Sequence, residues 1–294
     1  MQWYTEYIME FPLQKLNVSE HLPLLTEIPD GPSEVYVRGE LPPQDTKCLA
    51  VVGSRNYTNY GKQVAEYLIG GLRGYPVAII SGLALGIDTC AHKSALDAHL
   101  YTLAVPGSGI DDSVIYPRQN NTLAHTILER GGGLLSEFEP TFRATQWSFP
   151  KRNRIMAGLS HATLLIEAGE RSGTLITARL TAEYNRELFV VPGNIFSDNS
   201  RGVHQFLKLG ATPVTTPEDI LMALNIEEKS ETPKNTQLFT EEELAILTLL
   251  NEPKDNDTLI RLLPHSPEAT LMLLMRMELA GHIQEQNGIF RKTL

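Results

Sequence analysis

The chain has only two cysteines among its 294 residues, Cys48 and Cys90, and neither has metal-ligand spacing around it. That rules out a disulfide framework and a cysteine-based zinc site. The expectation is two reduced, buried thiols in a cytoplasmic protein, with no metal and no cofactor. Long apolar runs are missing too: no stretch of about eighteen such residues occurs, so no membrane-spanning helix is expected. The opening residues Met1-Gln2-Trp3-Tyr4-Thr5-Glu6 lack the basic region and apolar core of a secretory signal. An excess of basic charge is also absent. The formal net charge is −10, which on its face opposes a phosphate-backbone partner, since that affinity comes mainly from Lys and Arg.

The distribution of charge changes this picture. Residues 1–47 hold 3 basic and 8 acidic side chains and residues 226–294 hold 7 and 12, which leaves the middle of the chain neutral. Within that middle, residues 143–186 carry seven basic groups against three acidic ones, so a local basic face on an acidic protein is expected. The length and the 42% hydrophobic content suit a soluble, globular chain of two or three domains.

Six short apolar runs, beginning at Leu49, Val77, Leu103, Leu134, Thr163 and Leu188, end in or near Gly, Ser or Glu. They are apolar on both faces, which fits strands covered by helices on both sides. Helical patterns lie between them at 61–72, 87–99, 121–129 and 174–185. The expected fold is a doubly wound α/β domain over residues 48–225, with a mostly parallel sheet of about six or seven strands and ligands at the strands' C-terminal ends. Residues 1–47 read as a helical or extended lead-in, and 226–239 as a linker. From 240 to 294, a capping box at Thr240-Glu241-Glu242-Glu243, helical patterns at 257–263 and 267–280, and a hairpin through Asn287-Gly288 with a type I′ turn suggest a small winged helix.

Four strand-end segments could carry chemistry. Gly53-Ser54-Arg55 reads either as an anion site or as a βα turn with an exposed arginine, and it lacks the further glycines of a dinucleotide fingerprint. Ser81-Gly82-Leu83-Ala84-Leu85-Gly86 precedes a helix start, an anion site by geometry. Asp88 and His92, four apart on that helix, are expected to be a cap with a solvated contact rather than an acid/base pair. Phe149-Pro150-Lys151-Arg152-Asn153-Arg154 is the strongest signal. Pro150 fits the first helical position, and the three cations fall where a helix dipole is already positive, so the placement calls for an anion. Phe149 and Trp147 add rings on which a base could stack. Ser172-Gly173-Thr174 reads either as a second phosphate cradle or as a well-capped helix start.

In order and spacing, Gly53-Ser54-Arg55, Ser81-Gly82-Leu83-Ala84 with Gly86-Ile87-Asp88 and Ala91-His92, Tyr116-Pro117, Leu135-Ser136-Glu137, Phe149-Pro150 with Arg152-Asn153-Arg154-Ile155, Ser172-Gly173-Thr174-Leu175 with Thr177-Ala178, and Val191-Pro192-Gly193 resemble the DNA-processing protein A (DprA/Smf) family. The resemblance covers roughly residues 20–225. It implies an extended Rossmann-type fold and a non-enzymatic homodimer that binds single-stranded DNA during natural transformation and loads the RecA recombinase onto it. It further implies a DNA pocket lined by Gly53, Ser54, Arg55, Ser81, Gly82, Phe149, Lys151, Arg152, Asn153, Arg154, Ser172, Gly173 and Thr174. The sequence departs from the family pattern at Leu85, where many members have Arg, and at Gln146, where some have a basic residue.

Two other readings remain open. A phosphoribohydrolase of the lysine-decarboxylase-like group would need a glutamate after the glycine-rich loop at Glu167–Thr174, and none stands at that spacing. A winged-helix transcription regulator would need basic groups on its recognition stretch, where only Arg276 is found.

Overall fold

The structure is a computed structural model that describes residues 11–227, 239–286 and 288–292. The chain divides into two compact units, residues 1–228 and 229–294. The first opens with β1 (Gln14–Asn17), α1 (Val18–His21), α2 (Pro23–Thr26) and β2 (Glu34–Gly39). It continues through β3 (Lys47–Val52), α3 (Asn59–Gly70), β4 (Val77–Ser81), α4 (Ile87–Asp97), β5 (Tyr101–Ala104), α5 (Asn121–Glu129) and β6 (Gly133–Ser136). Then come α6 (Ser148–Leu159), β7 (Ala162–Leu165), α7 (Thr174–Glu183), β8 (Glu187–Val190), α8 (Asp198–Lys208), β9 (Thr212–Pro213) and α9 (Pro217–Ala223).

The nine strands form one sheet in the order β1-β2-β6-β5-β4-β3-β7-β8-β9. From β6 to β9 every pairing is parallel, whereas β1 and β2 join antiparallel. Neighbouring residues of each central strand serve opposite faces. Val52, Ile80, Leu165 and Val190 pack with α2, α6, α7 and α8, while Val51, Ile79, Leu164 and Phe189 pack with α3, α4 and α9. This two-sided burial explains why the runs are continuously apolar. The chain order reverses between β3 and β7, and that switch point opens a crevice beyond the strand ends.

The lead-in is part of this sheet. The boundary expected at Cys48 falls inside β3, and residues 14–39 add two strands and the buried side chains of Val18, Leu22, Leu25 and Ile28 to the same core. Leu25 of α2 is fully buried and Ile28 nearly so, and both lie against Gly158 of α6, where a Cβ would stand 2.8 Å from Ile28 Cδ1 and 3.0 Å from Leu25 Cδ2. The glycine lets α2 approach α6 closely.

The second unit holds α10 (Glu241–Leu249), β10 (Lys254–Asp255), α11 (Asn256–Leu262), α12 (Pro267–Leu279), β11 (Ile283–Gln286) and β12 (Ile289–Lys292), with an antiparallel sheet in the order β10-β12-β11. This is the element order of a winged helix. Its expected capping box is formed: Thr240 N donates to Glu243 Oε2 at 2.8 Å, and Glu243 N to Thr240 Oγ1 at 3.3 Å. The turn type expected at Asn287, and most of the expected linker, lie outside the described residues. No helix among the described residues is long and apolar enough to cross a membrane.

If residues 14–39 belong to the core, Leu25→Ala will destabilise the protein by about 2–5 kcal/mol, read as a lower urea midpoint. A peripheral lead-in would leave that midpoint unmoved.

Candidate nucleic-acid interface

A cleft of about 450 Å³ lies beyond the ends of β3 and β7, at the switch point. The loop after β3 supplies Gly53, Ser54, Arg55 and Asn56, and the start of α6 supplies Phe149, Arg152 and Asn153. Ser172, Gly173 and Thr174 line it from the loop before α7, with Ala84 and Asp88 below. A smaller recess of about 40 Å³, lined by Gly82, Leu85, Tyr116 and Pro117, shares Arg55, Ala84, Phe149 and Arg152 with it. Segments spread over more than a hundred positions of sequence are thus gathered at one place.

Two glycines at strand ends set the floor. A Cβ at Gly82 would stand 1.7 Å from Arg152 Nη1, and one at Gly107 2.5 Å from Phe149 Cδ1. Only residues without side chains let the guanidinium and the ring lie down on the sheet end. Arg152 is buried, with Nη1 donating to Val105 O at 2.5 Å. Burial lowers its pKa to about 10, with the Asp88 charge opposing that fall, so it remains a cation at neutral pH. Arg55 is exposed, and its guanidinium carbon lies 5.3 Å from the centre of the Phe149 ring. Tyr116 packs on the same ring at 5.7 Å, tilted by 50°. Asp88 is buried and accepts from Ala84 N at 3.3 Å. Burial raises its pKa, against the pull of Arg152. Two guanidiniums facing one carboxyl whose charge is disfavoured give the cleft a positive balance.

The loop hydroxyls brace the site. Thr174 Oγ1 donates to Gly53 O at 3.0 Å, Ser172 Oγ to Thr174 Oγ1 at 2.9 Å, and Asn56 N to Ser54 Oγ at 3.1 Å. Ser81 is fully buried and donates to Val51 O at 2.7 Å, outside the cleft lining.

The basic cluster of α6 is not one patch. Lys151 Nζ lies 3.3 Å from Glu137 Oε2, and Arg154, buried, binds the same oxygen and donates to Asp30 O at 2.5 Å. The protein itself supplies the anion for these two, because residues one and two positions from Arg152 leave the helix in other directions. Pro150 also differs from expectation. The helix starts at Ser148, whose hydroxyl donates to Gly107 O at 2.6 Å, and Pro150 is its third residue. A proline is accepted there because the first turn has no intrahelical partner for its amide. Trp147 is exposed and meets Phe138 and Phe142 edge-on rather than joining the cleft.

The solvated contact expected of Asp88 and His92 is corrected. Both are buried, since α4 packs its face against the sheet, and they part company: Asp88 turns to the Ala84 amide and His92 inward. Thr102 Oγ1 gives its proton to Ile79 O at 3.0 Å, so His92 Nδ1 must be the donor in its 2.8 Å bond to Thr102 Oγ1. Burial pushes the His92 pKa down to about 3, so at neutral pH the ring is uncharged with its proton on Nδ1. Glu167, at the start of the glycine-rich loop, is buried and holds Thr58, the residue that caps α3, accepting from Thr58 Oγ1 at 2.6 Å and Thr58 N at 2.9 Å. Gly107, Tyr116 and Asp88 were not among the expected site residues. The strand-end rule applied to Val105-Pro106-Gly107 would have found the first.

His92 makes a pH prediction. Its folded pKa lies below the unfolded value of 6.5, so the unfolded chain takes up a proton that the folded one refuses, and stability falls as pH drops from about 6.5 toward 3. Urea titrations at pH 7 and pH 5 should show a loss of about 2 kcal/mol from this residue, absent in His92→Gln. An unchanged pH dependence in the variant would contradict the buried neutral imidazole.

The sequence model of the family described as DNA recombination-mediator protein A matches residues 14–225. The chain is 38% identical to protein Smf of Escherichia coli (strain K12) over 276 residues, 90% of this chain and 73% of that one. It is 40% identical to DNA processing protein DprA of Streptococcus pneumoniae over 197 residues, 67% of this chain and 68% of the relative. The X-ray structure of that pneumococcal protein superposes with a TM-score of 0.67 at 36% identity, covering 75% of this chain and 76% of the other. DNA processing protein A from Helicobacter pylori, whose structure is described for its single-stranded DNA binding mode, superposes with a TM-score of 0.65 at 29% identity, covering 74% and 97%. A match over most of the α/β unit in both sequence and fold leaves one conclusion: the chain belongs to the DNA recombination-mediator protein A family.

Proposed function

We propose that the cleft at the β3–β7 switch point binds single-stranded DNA, with Arg55 and Arg152 meeting phosphate and the Phe149 ring taking a base. The observation that carries this reading is the Arg55–Phe149 pair at the mouth of the cleft: a free cation and a half-buried ring 5.3 Å apart, the two contacts that a flexible strand offers together. A duplex hides its base faces inside the stack and would leave the ring without a partner. The Helicobacter relative, described for binding single-stranded DNA, supports the same assignment. Gly53, Ser54, Asn153, Ser172, Gly173 and Thr174 line the cleft and would border the strand, while Lys151 and Arg154 stand beside it, held by Glu137. Leu85 and Gln146, where the family pattern has Arg in many members and a basic residue in some, both border the cleft or its recess, so the electrostatic share of binding would be smaller in this chain than in those members.

The wider role follows the family. As a recombination mediator, the chain would act in the cytoplasm as a homodimer, hold DNA taken up during transformation, and pass it to the RecA recombinase. It would do so without catalysing a reaction of its own.

Binding to oligo-dT, measured by gel shift at two salt concentrations, separates the contacts. Arg55→Ala should weaken binding and reduce the magnitude of the salt slope by about 0.7, the share of one single-strand phosphate. Phe149→Ala should weaken it about tenfold with the slope unchanged, since stacking releases no counterions. Arg152→Ala should behave as Arg55→Ala does. Equal slopes for all three variants would contradict the division between phosphate and base.

A further inference from the structure

The winged-helix unit carries an exposed apolar face. In this element order the third helix, α12, is the one that other winged helices place in the major groove. Its core face is Thr270, Leu273, Leu274 and Met277, all buried. The opposite face presents Met272, Met275 and Leu279, which recur at i, i+3 and i+7 and are 74%, 64% and 85% exposed. Leu271, one turn before Met275, is 42% exposed and widens the stripe. A row of large apolar side chains on the outward face of a helix marks a contact surface, and methionine adapts to the shape of what it meets.

Charge decides what that contact is. Residues 239–292 hold nine acidic and five basic side chains. On α12 the only cation is Arg276, and its Nη2 already binds Glu243 Oε1 at 3.0 Å. Glu268 is exposed and lies in line with Met272 and Met275, at i+4 and i+7 from it, and Glu278, also exposed, flanks Leu279. A phosphate backbone would find no counter-charge on this face. A second copy of the unit would set like carboxylates against one another. We propose that the outer face of α12 docks a basic amphipathic helix of a protein partner, whose apolar side chains cover Met272, Met275 and Leu279 and whose Lys or Arg groups meet Glu268 and Glu278. The unit that resembles a duplex reader is then a protein-docking module.

The full chain can be tested by fluorescence anisotropy with a labelled synthetic Leu/Lys amphipathic helix and its scrambled isomer of the same composition and charge. The helix should bind at least about tenfold more tightly than the scramble, the advantage expected from covering one large apolar side chain. Met272→Ser/Met275→Ser/Leu279→Ser should abolish that advantage while leaving oligo-dT binding unchanged. Glu268→Lys/Glu278→Lys should instead weaken the Leu/Lys helix and favour a Leu/Glu one. Equal binding of helix and scramble by the unsubstituted chain would overturn the proposal, as would an advantage that survives the serine variant. It would fall equally if the serine variant lost affinity for a duplex oligonucleotide, or if it abolished a self-association seen by sedimentation in the unsubstituted chain.

Discussion

A guanidinium can be taken out of water only where acceptors and counter-charge are already in place, and the cleft is organised around that condition at Arg152. Its Nη1 is held by the Val105 carbonyl, its plane lies over Gly82, and Asp88 sustains its charge from below. Val105 follows β5, Gly82 follows β4 and Asp88 stands in the first turn of α4, so the floor of the cleft exists only when β4, β5, α4 and α6 are in register. Desolvation makes the remaining field stronger than a surface arginine would give, because the charge is poorly screened. The ring of Phe149, seated over Gly107 by the same device, sits beside it and carries the exposed Arg55 on its face.

The neighbouring cations show what this condition does to a basic cluster. Lys151, Arg152 and Arg154 are close in sequence, yet the helical rotation sends them to different surroundings, and Glu137 and Asp30 claim the outer two. Cations at a helix start, where the dipole is already positive, call for an anion. The anion for two of the three turned out to be the protein's own carboxylates, one of them on the loop after β6 and the other from the segment before β2.

The central fold was legible because strands covered on both faces leave continuous apolar runs that few other structures produce. The two antiparallel strands were not, for a physical reason: β1 reads Gln-Lys-Leu-Asn and is mostly exposed, and β2 alternates Val35 and Val37 with Glu34, Tyr36 and Arg38, so neither carries such a signature. The cleft's glycine-rich loops could be read from their place at strand ends. The burial of Asp88 and His92 could not, since their spacing fixes a shared face of α4 but not whether that face meets the sheet or water. The winged helix was readable from its caps and hairpin, and only the structure shows that Met272, Met275 and Leu279 point away from its core.

We propose that one strand of DNA lies across the β3–β7 switch point with its phosphates toward the guanidiniums. A crystal structure of the full chain with oligo-dT tests it directly. A thymine ring should stack on Phe149 and a phosphate should lie within hydrogen-bond distance of Arg55, with the Gly82 and Gly107 floor unmoved. DNA lying along α12, or across the opposite end of the sheet with the cleft empty, would contradict it.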